Sequence, residues 1–391
     1  MAVVRSACEF WVREVNEVAR EPAMPAVMTR RRILTTAAAG ISAVTAASCF
    51  PRPALSQAVK VRYTLSWLPT GQYAFIYSAR QLGYLTKRGI DLEISRGFGS
   101  LAAIQAVSTG QFDMGGAQTG AILLSIIKGS NLRLPATQGY DATLGILVPE
   151  KNPIQRPKDL EGKKIGVTPT SADTPFLPAY CRLAGVDFSK LNIVQLDSKI
   201  LEQSAMSGVV DAILVTGLSS VPNFVSENIS FRMLPYSDVG LQFYWQNTIV
   251  SAAYFEKNKE LVDNVVEGIL EGLKFMLLNP QEAMERHLKE HQELAIGKNG
   301  KLYVELGLGM TNAIMISPES MQHGLGYTDF VEVDKQARFV KQYAAASVDR
   351  DPPKANTFCS NDNANKVTLT AAEWEQVRSN SQKYAKLLAK G

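Results

Sequence analysis

The sequence predicts an α/β protein of two lobes, each a mixed, mainly parallel sheet flanked by helices. Three observations predict it. Short β-branched runs alternate with helical patterns over residues 59–148, a second such series starts at Lys164, and a charged, proline-containing segment (149–157) divides them. Strand, helix, strand at this spacing implies parallel pairing through right-handed crossovers. A chain of 391 residues is long enough to bury a core in each lobe.

In chain order, Val59, Val61, Tyr63 and Leu65 alternate with polar neighbours, the pattern of a strand. Residues 73–87 carry Ala74, Tyr77, Leu82 and Leu85 at helical spacing. A short strand over 92–95 precedes Ser100, a cap for a helix with Leu101, Ile104 and Val107 on its apolar face. Gly110 ends that helix. A strand over 112–116, a helix over 121–127 and strands over 132–138 and 144–148 complete the first series. The second series has strands over 164–167, 192–196, 211–215 and 231–234, with helices over 175–184, 201–207 and 219–226. A return strand covers 241–250. Beyond Lys257 the chain reads as helical, with its longest run over 261–278 stopped by Asn279-Pro280. Residues 347–366 form a polar loop and 370–390 a last helix. Lobe 1 is thus expected to be 59–148 plus 249–391 and lobe 2 149–248, with crossings near 148–150 and 243–248, where few residues absorb a hinge motion. No internal repeat is present.

Apolar residues make up 46% of the chain and charged ones 20%, the balance of a soluble globular protein. The net charge of +4 is concentrated at the N-terminus. Residues 1–58 hold seven basic and four acidic residues, which leaves 34 basic against 33 acidic, or +1, for the remainder. A nearly neutral body has no electrostatic footprint for nucleic acid. From Met28 a basic stretch leads into an uncharged one over 33–47 and then a tail ending at Ala58. That order is that of an export signal, and the apolar part is too short to span a bilayer. Thr29-Arg30-Arg31-Arg32-Ile33-Leu34 resembles the twin-arginine motif. Residues 28–58 are therefore expected to be removed after Ala58, placing the mature protein in the periplasm. A lipoprotein signal using Cys49 is the rival. Residues 1–27 form an upstream extension outside the fold, for which a mis-set start codon is the simpler account. Of Cys8, Cys49, Cys181 and Cys359, none shows metal-site spacing; Cys181 and Cys359 remain after cleavage, and their pairing is open.

The run Trp67-Leu68-Pro69-Thr70-Gly71-Gln72-Tyr73 is followed by Ala79, Gly83-Tyr84-Leu85, Gly89-Ile90 and Leu92-Glu93-Ile94. Gly97-Phe98-Gly99-Ser100 and Gly110-Gln111-Phe112-Asp113 come next, then the stretch from Asp159 to Val167 (Asp-Leu-Glu-Gly-Lys-Lys-Ile-Gly-Val) and Gly208-Val209-Val210-Asp211-Ala212. In this order they resemble the periplasmic-binding-protein family that carries aliphatic sulfonates, nitrate, taurine and thiamine-pyrimidine precursors. The likeness runs from Trp67 to Ala212, more weakly to about residue 330. It implies a type II periplasmic-binding-protein fold and a monomer that binds a solute between its lobes. The protein would deliver that solute to the permease subunits of an ABC importer without a cofactor, a metal or catalysis.

A site of that kind needs donors from strand-to-helix loops and apolar walls. Gly99 and Ser100 lie on such a loop, where backbone N–H groups approach a ligand. Thr170, Ser171 and Asp173 lie on the equivalent loop of the second lobe. Asp173 is either the cap of the next helix or a carboxylate facing the cleft. Trp67, at the end of the first strand, and Trp245, on the return crossing, are candidate stacking walls. Gln72 and Tyr73 follow the first strand, Gln118 and Thr119 follow the third, and Asn247 stands two residues after Trp245. Asp113 and Asp211 sit in turns where a carboxylate satisfies local N–H groups rather than serving as an acid–base pair. No lysine or arginine occurs between Leu65 and Tyr77 or over 168–180, which favours a small, flat, polar solute such as a heterocycle or aromatic acid.

Two enzyme readings compete. His287-Leu288-Lys289-Glu290-His291 matches the His-x-x-Glu-His pattern of inverted zinc peptidases, but so polar a segment reads as a solvated helix face. A pyrimidine synthase on the same fold would carry a cysteine-rich motif that this sequence lacks.

Overall fold

A computed structural model of the protein describes residues 58–388. The expected signal segment and upstream extension lie outside the described residues, except for Ala58. Ten strands build two sheets: β1 (Val59–Thr64), β2 (Ile90–Ser95), β3 (Met114–Ala117), β4 (Leu132–Thr137), β5 (Leu144–Pro149), β6 (Lys164–Val167), β7 (Asn192–Gln195), β8 (Ala212–Thr216), β9 (Phe231–Pro235) and β10 (Asn247–Ser251). The first sheet runs β2-β1-β3-β10-β4 and the second β7-β6-β8-β5-β9. In each, one antiparallel strand sits fourth among parallel ones: β10 against β3 and β4, β5 against β8 and β9. These are the strands by which the chain enters the second sheet and re-enters the first.

Helices α1 (Ala74–Gln81), α2 (Ser100–Ser108) and α3 (Thr119–Ile127) follow strands of the first sheet. Helices α4 (Leu177–Leu183), α5 (Leu201–Ser207) and α6 (Gly217–Ser226) follow strands of the second. The C-terminal part is helical: α7 (Ala252–Lys257), α8 (Lys259–Leu278), α9 (Pro280–Glu290), α10 (Gln292–Ile296), α11 (Gly300–Ile314), α12 (Pro318–His323), α13 (Phe330–Tyr343) and α14 (Ala371–Leu388). α8 packs on α1, while α11 packs on α6 and on the single turn Gly71–Tyr73, so it touches elements of both sheets. The largest fully buried side chains include Trp245, Tyr63, Tyr73 and Phe75.

Leu144–Pro149, expected in the first lobe, lies inside the second sheet, and the first crossing is residues 138–143 rather than 148–150. β5 is buried at every position, so no alternation of faces tells which sheet it joins. The return crossing is residues 236–246; of the anticipated strand over 241–250, only Asn247 onward pairs in the sheet. The two crossings hydrogen-bond to one another. Gln138 N donates to Gln246 O (2.7 Å), Trp245 N to Gly139 O (2.9 Å) and Ala142 N to Phe243 O (2.9 Å). Cys181 in α4 and Cys359, bridged to β4 through Leu134, are buried free thiols. Burial pushes the Cys181 thiol up to about 11.

Candidate functional site

The C-terminal ends of parallel strands are where α/β sheets collect ligand groups, because each strand there turns into a loop that starts a helix. Here four such ends converge. β1 leads to Ser66 and Trp67, β3 to Gln118, β6 to Ser171 and Asp173, and β8 to Thr216 and Ser219, all lining one cavity. Gln72, Tyr73, Ser100 and Trp245 complete the first-sheet side, and Ala172, Leu201, Leu214, Val215 and Ser220 that of the second.

The two sides are joined across the cavity. Gln72 Nε2 donates to Ser219 Oγ (3.1 Å) and Gln118 Nε2 to Thr216 Oγ1 (2.8 Å). The Oε1 atoms of both glutamines have no hydrogen-bond partner. Ser100, expected to cap α2, is instead its first residue; its Oγ accepts from Gln118 N (3.2 Å) and so fixes the loop after β3. Tyr73 OH pairs with Ser66 Oγ (2.7 Å), and burial holds this phenol well above its ordinary range.

Asp173 occupies the N-cap position of the turn Thr174–Phe176 but makes no capping bond. Its carboxylate accepts instead from the hydroxyls of Ser171 and Thr174. It is 3% exposed, and burial raises its carboxyl above the usual carboxylate range against the opposing pull of those hydrogen bonds. The aromatic walls differ from each other. Trp67 is half-buried at the cavity. Trp245 is fully buried and packs against Tyr73 and Phe75, with ring centroids 6.2 and 6.4 Å away, so it belongs to the core as well as to the wall.

Four anticipated residues do not line the cavity. Thr119 and Asn247 spend their polar atoms on the scaffold: Asn247 Nδ2 donates to Ala117 O and Thr119 Oγ1, and Thr137 Oγ1 donates to Asn247 Oδ1. Gly99 and Thr170 instead meet each other. Leu101 N donates to Thr170 O (3.0 Å), Thr170 Oγ1 donates to Phe98 O, and a Cβ on Gly99 would stand 2.1 Å from Thr170 O. These contacts bring the loop after β2 against the loop after β6. The residues that sequence reasoning missed, Thr216, Ser219 and Ser220, also follow a strand; the rule used for Trp67 and Gln118 applies equally to the end of β8.

The remaining candidates resolve on the scaffold. Asp113 accepts from Arg62 N (2.8 Å) and pairs with the Arg62 guanidinium, and Asp211 accepts from Lys164 N (2.8 Å) and Asn152 Nδ2 (2.9 Å). The helix face carrying His287 is not solvated. His287 has no exposed surface, bonds to Pro69 O through Nε2 (3.0 Å) and meets the Tyr77 ring edge-on. Among the described residues no group of three His, Cys, Asp or Glu side chains comes together as a metal site, and no helix is long and apolar enough to cross a membrane.

With this geometry in place, three similarities are informative. The chain is 23% identical to the formylaminopyrimidine-binding protein of Halalkalibacterium halodurans over 235 residues, 60% of this chain and 71% of that protein. It is 24% identical to the riboflavin-binding protein RibY of Chloroflexus aurantiacus over 327 residues, 83% of this chain and 90% of that one. The structure of the alkanesulfonate-binding protein SsuA from Xanthomonas axonopodis pv. citri, bound to MOPS, superposes with a TM-score of 0.60 at 16% identity. That match covers 77% of this chain and 98% of SsuA, and it shares the periplasmic-binding-protein fold. The family described as NMT1/THI5 like matches residues 70–283, which spans both crossings and every strand from β2 to β10. The chain, with its two mixed sheets and the cavity between their strand ends, belongs to the NMT1/THI5-like family.

Proposed function

We propose that the protein is an extracytoplasmic solute-binding protein that captures a small, flat, polar molecule between its two sheets and hands it to the permease of an ABC importer. The observation that carries this reading is the cavity itself: side chains from four strand ends, two from each sheet, converge on it and bond across it. The names of the two binding proteins above, for a formylaminopyrimidine and for riboflavin, agree with a ring-shaped solute. The reading has lobes corresponding to the two sheets, a monomer in solution and no catalytic step, since Asp113 and Asp211 are committed to local bonds. In it Trp67, Gln72, Gln118, Ser171 and Asp173 contact the solute.

Thermal-shift screening of the chain against sulfonates, pyrimidines, flavins and aromatic carboxylates tests it. One compound class should raise the melting temperature and be recovered unchanged; turnover of the bound compound would contradict the reading. Export by the twin-arginine route belongs to the same proposal. Replacing Arg30 and Arg31 by lysine should trap precursor inside the cell, and undiminished export would refute that route.

A further inference from the structure

Resting on that reading of the cavity, we infer that the solute presents N–H donors and carries no net negative charge, and that Asp173 is the residue that selects it by charge. Three observations carry the inference. Asp173 is buried and lines the cavity, yet the groups around its carboxylate are all neutral, the hydroxyls of Ser171 and Thr174, nearby backbone amides and the buried Tyr236 phenol, and no lysine or arginine lines the cavity. A desolvated carboxylate without a counter-ion is unfavourable. A bound cation or N–H donor relieves it, whereas a bound anion places a second negative charge in the same low-dielectric space.

Other buried atoms add acceptors beside Asp173. Gln72 Oε1 and Gln118 Oε1 are buried acceptors without donors, while each amide nitrogen gives one N–H across the cavity. Ser220 Oγ–H donates to Glu202 Oε1 (2.8 Å), so toward the cavity its oxygen offers lone pairs. A sulfonate, nitrate or carboxylate, which has acceptors only, would leave these groups unmatched. A ring bearing amino, amidine or ring N–H groups matches them, and leaving a buried acceptor unpaired is what makes such discrimination large.

The test uses two probes of one shape, benzamidine and benzoate, titrated by NMR into the full chain at up to about 10 mM, the range in which a fragment of nine heavy atoms binds. Benzamidine should bind at least about tenfold tighter than benzoate, and Asp173→Asn should shrink that preference to about threefold or less. Should Asp173→Asn fail to fold by circular dichroism, Asp173→Ser is read in its place. Equal or tighter binding of benzoate, an unchanged preference in the variant, or no binding of either probe overturns the inference. An anionic compound emerging as the strongest hit of the thermal-shift panel would overturn charge selection alone. A panel in which no compound of any charge stabilises the chain would instead count against solute capture itself.

Discussion

Gly99 lies at the point where the loops of the two sheets touch, and replacing it by alanine tests whether that contact contributes to binding. Its backbone, at φ 114° and ψ 152°, is in a region that L side chains rarely adopt, at a strain of about 1–3 kcal/mol. That strain is local and weakens stability whether or not the loops touch. The second effect depends on the contact. The new Cβ would stand 2.1 Å from Thr170 O and 2.4 Å from Thr170 C, which are backbone atoms with no rotamer to escape into. Relieving it requires the loops to part by about 1 Å, more than the 3.0 Å bond from Leu101 N to Thr170 O tolerates. Loss of that bond and of the packing around it amounts to about 1–3 kcal/mol, so the dissociation constant for the panel hit should rise about five- to 150-fold. Calorimetry measures the affinity, and small-angle scattering should show a more open average shape with ligand present. Gly83→Ala is the control: φ there is 75°, but no atom lies within 4 Å of its Cβ, so it should lower stability and leave affinity alone. Unchanged affinity in Gly99→Ala, with the fold verified, would refute a role for this contact in binding.

Further outcomes follow from other residues. Trp67→Ala should weaken binding of the hit about tenfold by calorimetry, since an aromatic wall contributes about 0.5–1.5 kcal/mol beyond its buried area, while leaving the melting temperature nearly unchanged. Asn247→Ala should do the reverse, lowering stability by about 2–3 kcal/mol in denaturant unfolding because Thr119, Thr137 and Ala117 O lose their buried partner. Burial, reinforced by neighbouring His291, holds His287 down at about 3 against an ordinary 6.5. Its neutral form is thus favoured on folding, and the stability this represents is present above pH 6.5 and lost as pH falls toward 3. A gap of that size corresponds to roughly 5 kcal/mol. His287→Gln, which keeps a donor within reach of Pro69 O, should therefore flatten the fall in melting temperature between pH 6.5 and 4 in calorimetric scans, and an unaltered pH slope would show that His287 does not govern it.

Much of the fold is legible in the sequence because its strands are short and its helices well punctuated. The expected strand over 164–167 and helix over 201–207 coincide with β6 and α5, bounded by Gly162 and Gly208, both at positive φ. What was not legible is sheet membership. β4 and β5 read alike as apolar runs, and only pairing with β8 and β9 puts β5 in the second sheet. The cavity follows the same division. Trp67, Gln118 and Asp173 were accessible to reasoning because position after a strand is a local property. Gly99 and Thr170 meet each other instead of lining the cavity, and whether two loops do so depends on how the sheets face, which no local pattern encodes. His287 was misread for a related reason: a polar sequence around it hides a ring that α1 and the loop at Pro69 enclose from outside its own helix.

The most direct measurement is a crystal structure of the chain with the strongest hit of the thermal-shift panel. Density for that compound is expected beside Trp67, with an N–H donor turned toward Asp173 and contacts from Gln72 or Gln118 on one side and Ser171 or Ser219 on the other. A compound seated elsewhere, or held by residues of one sheet only, would contradict that expectation.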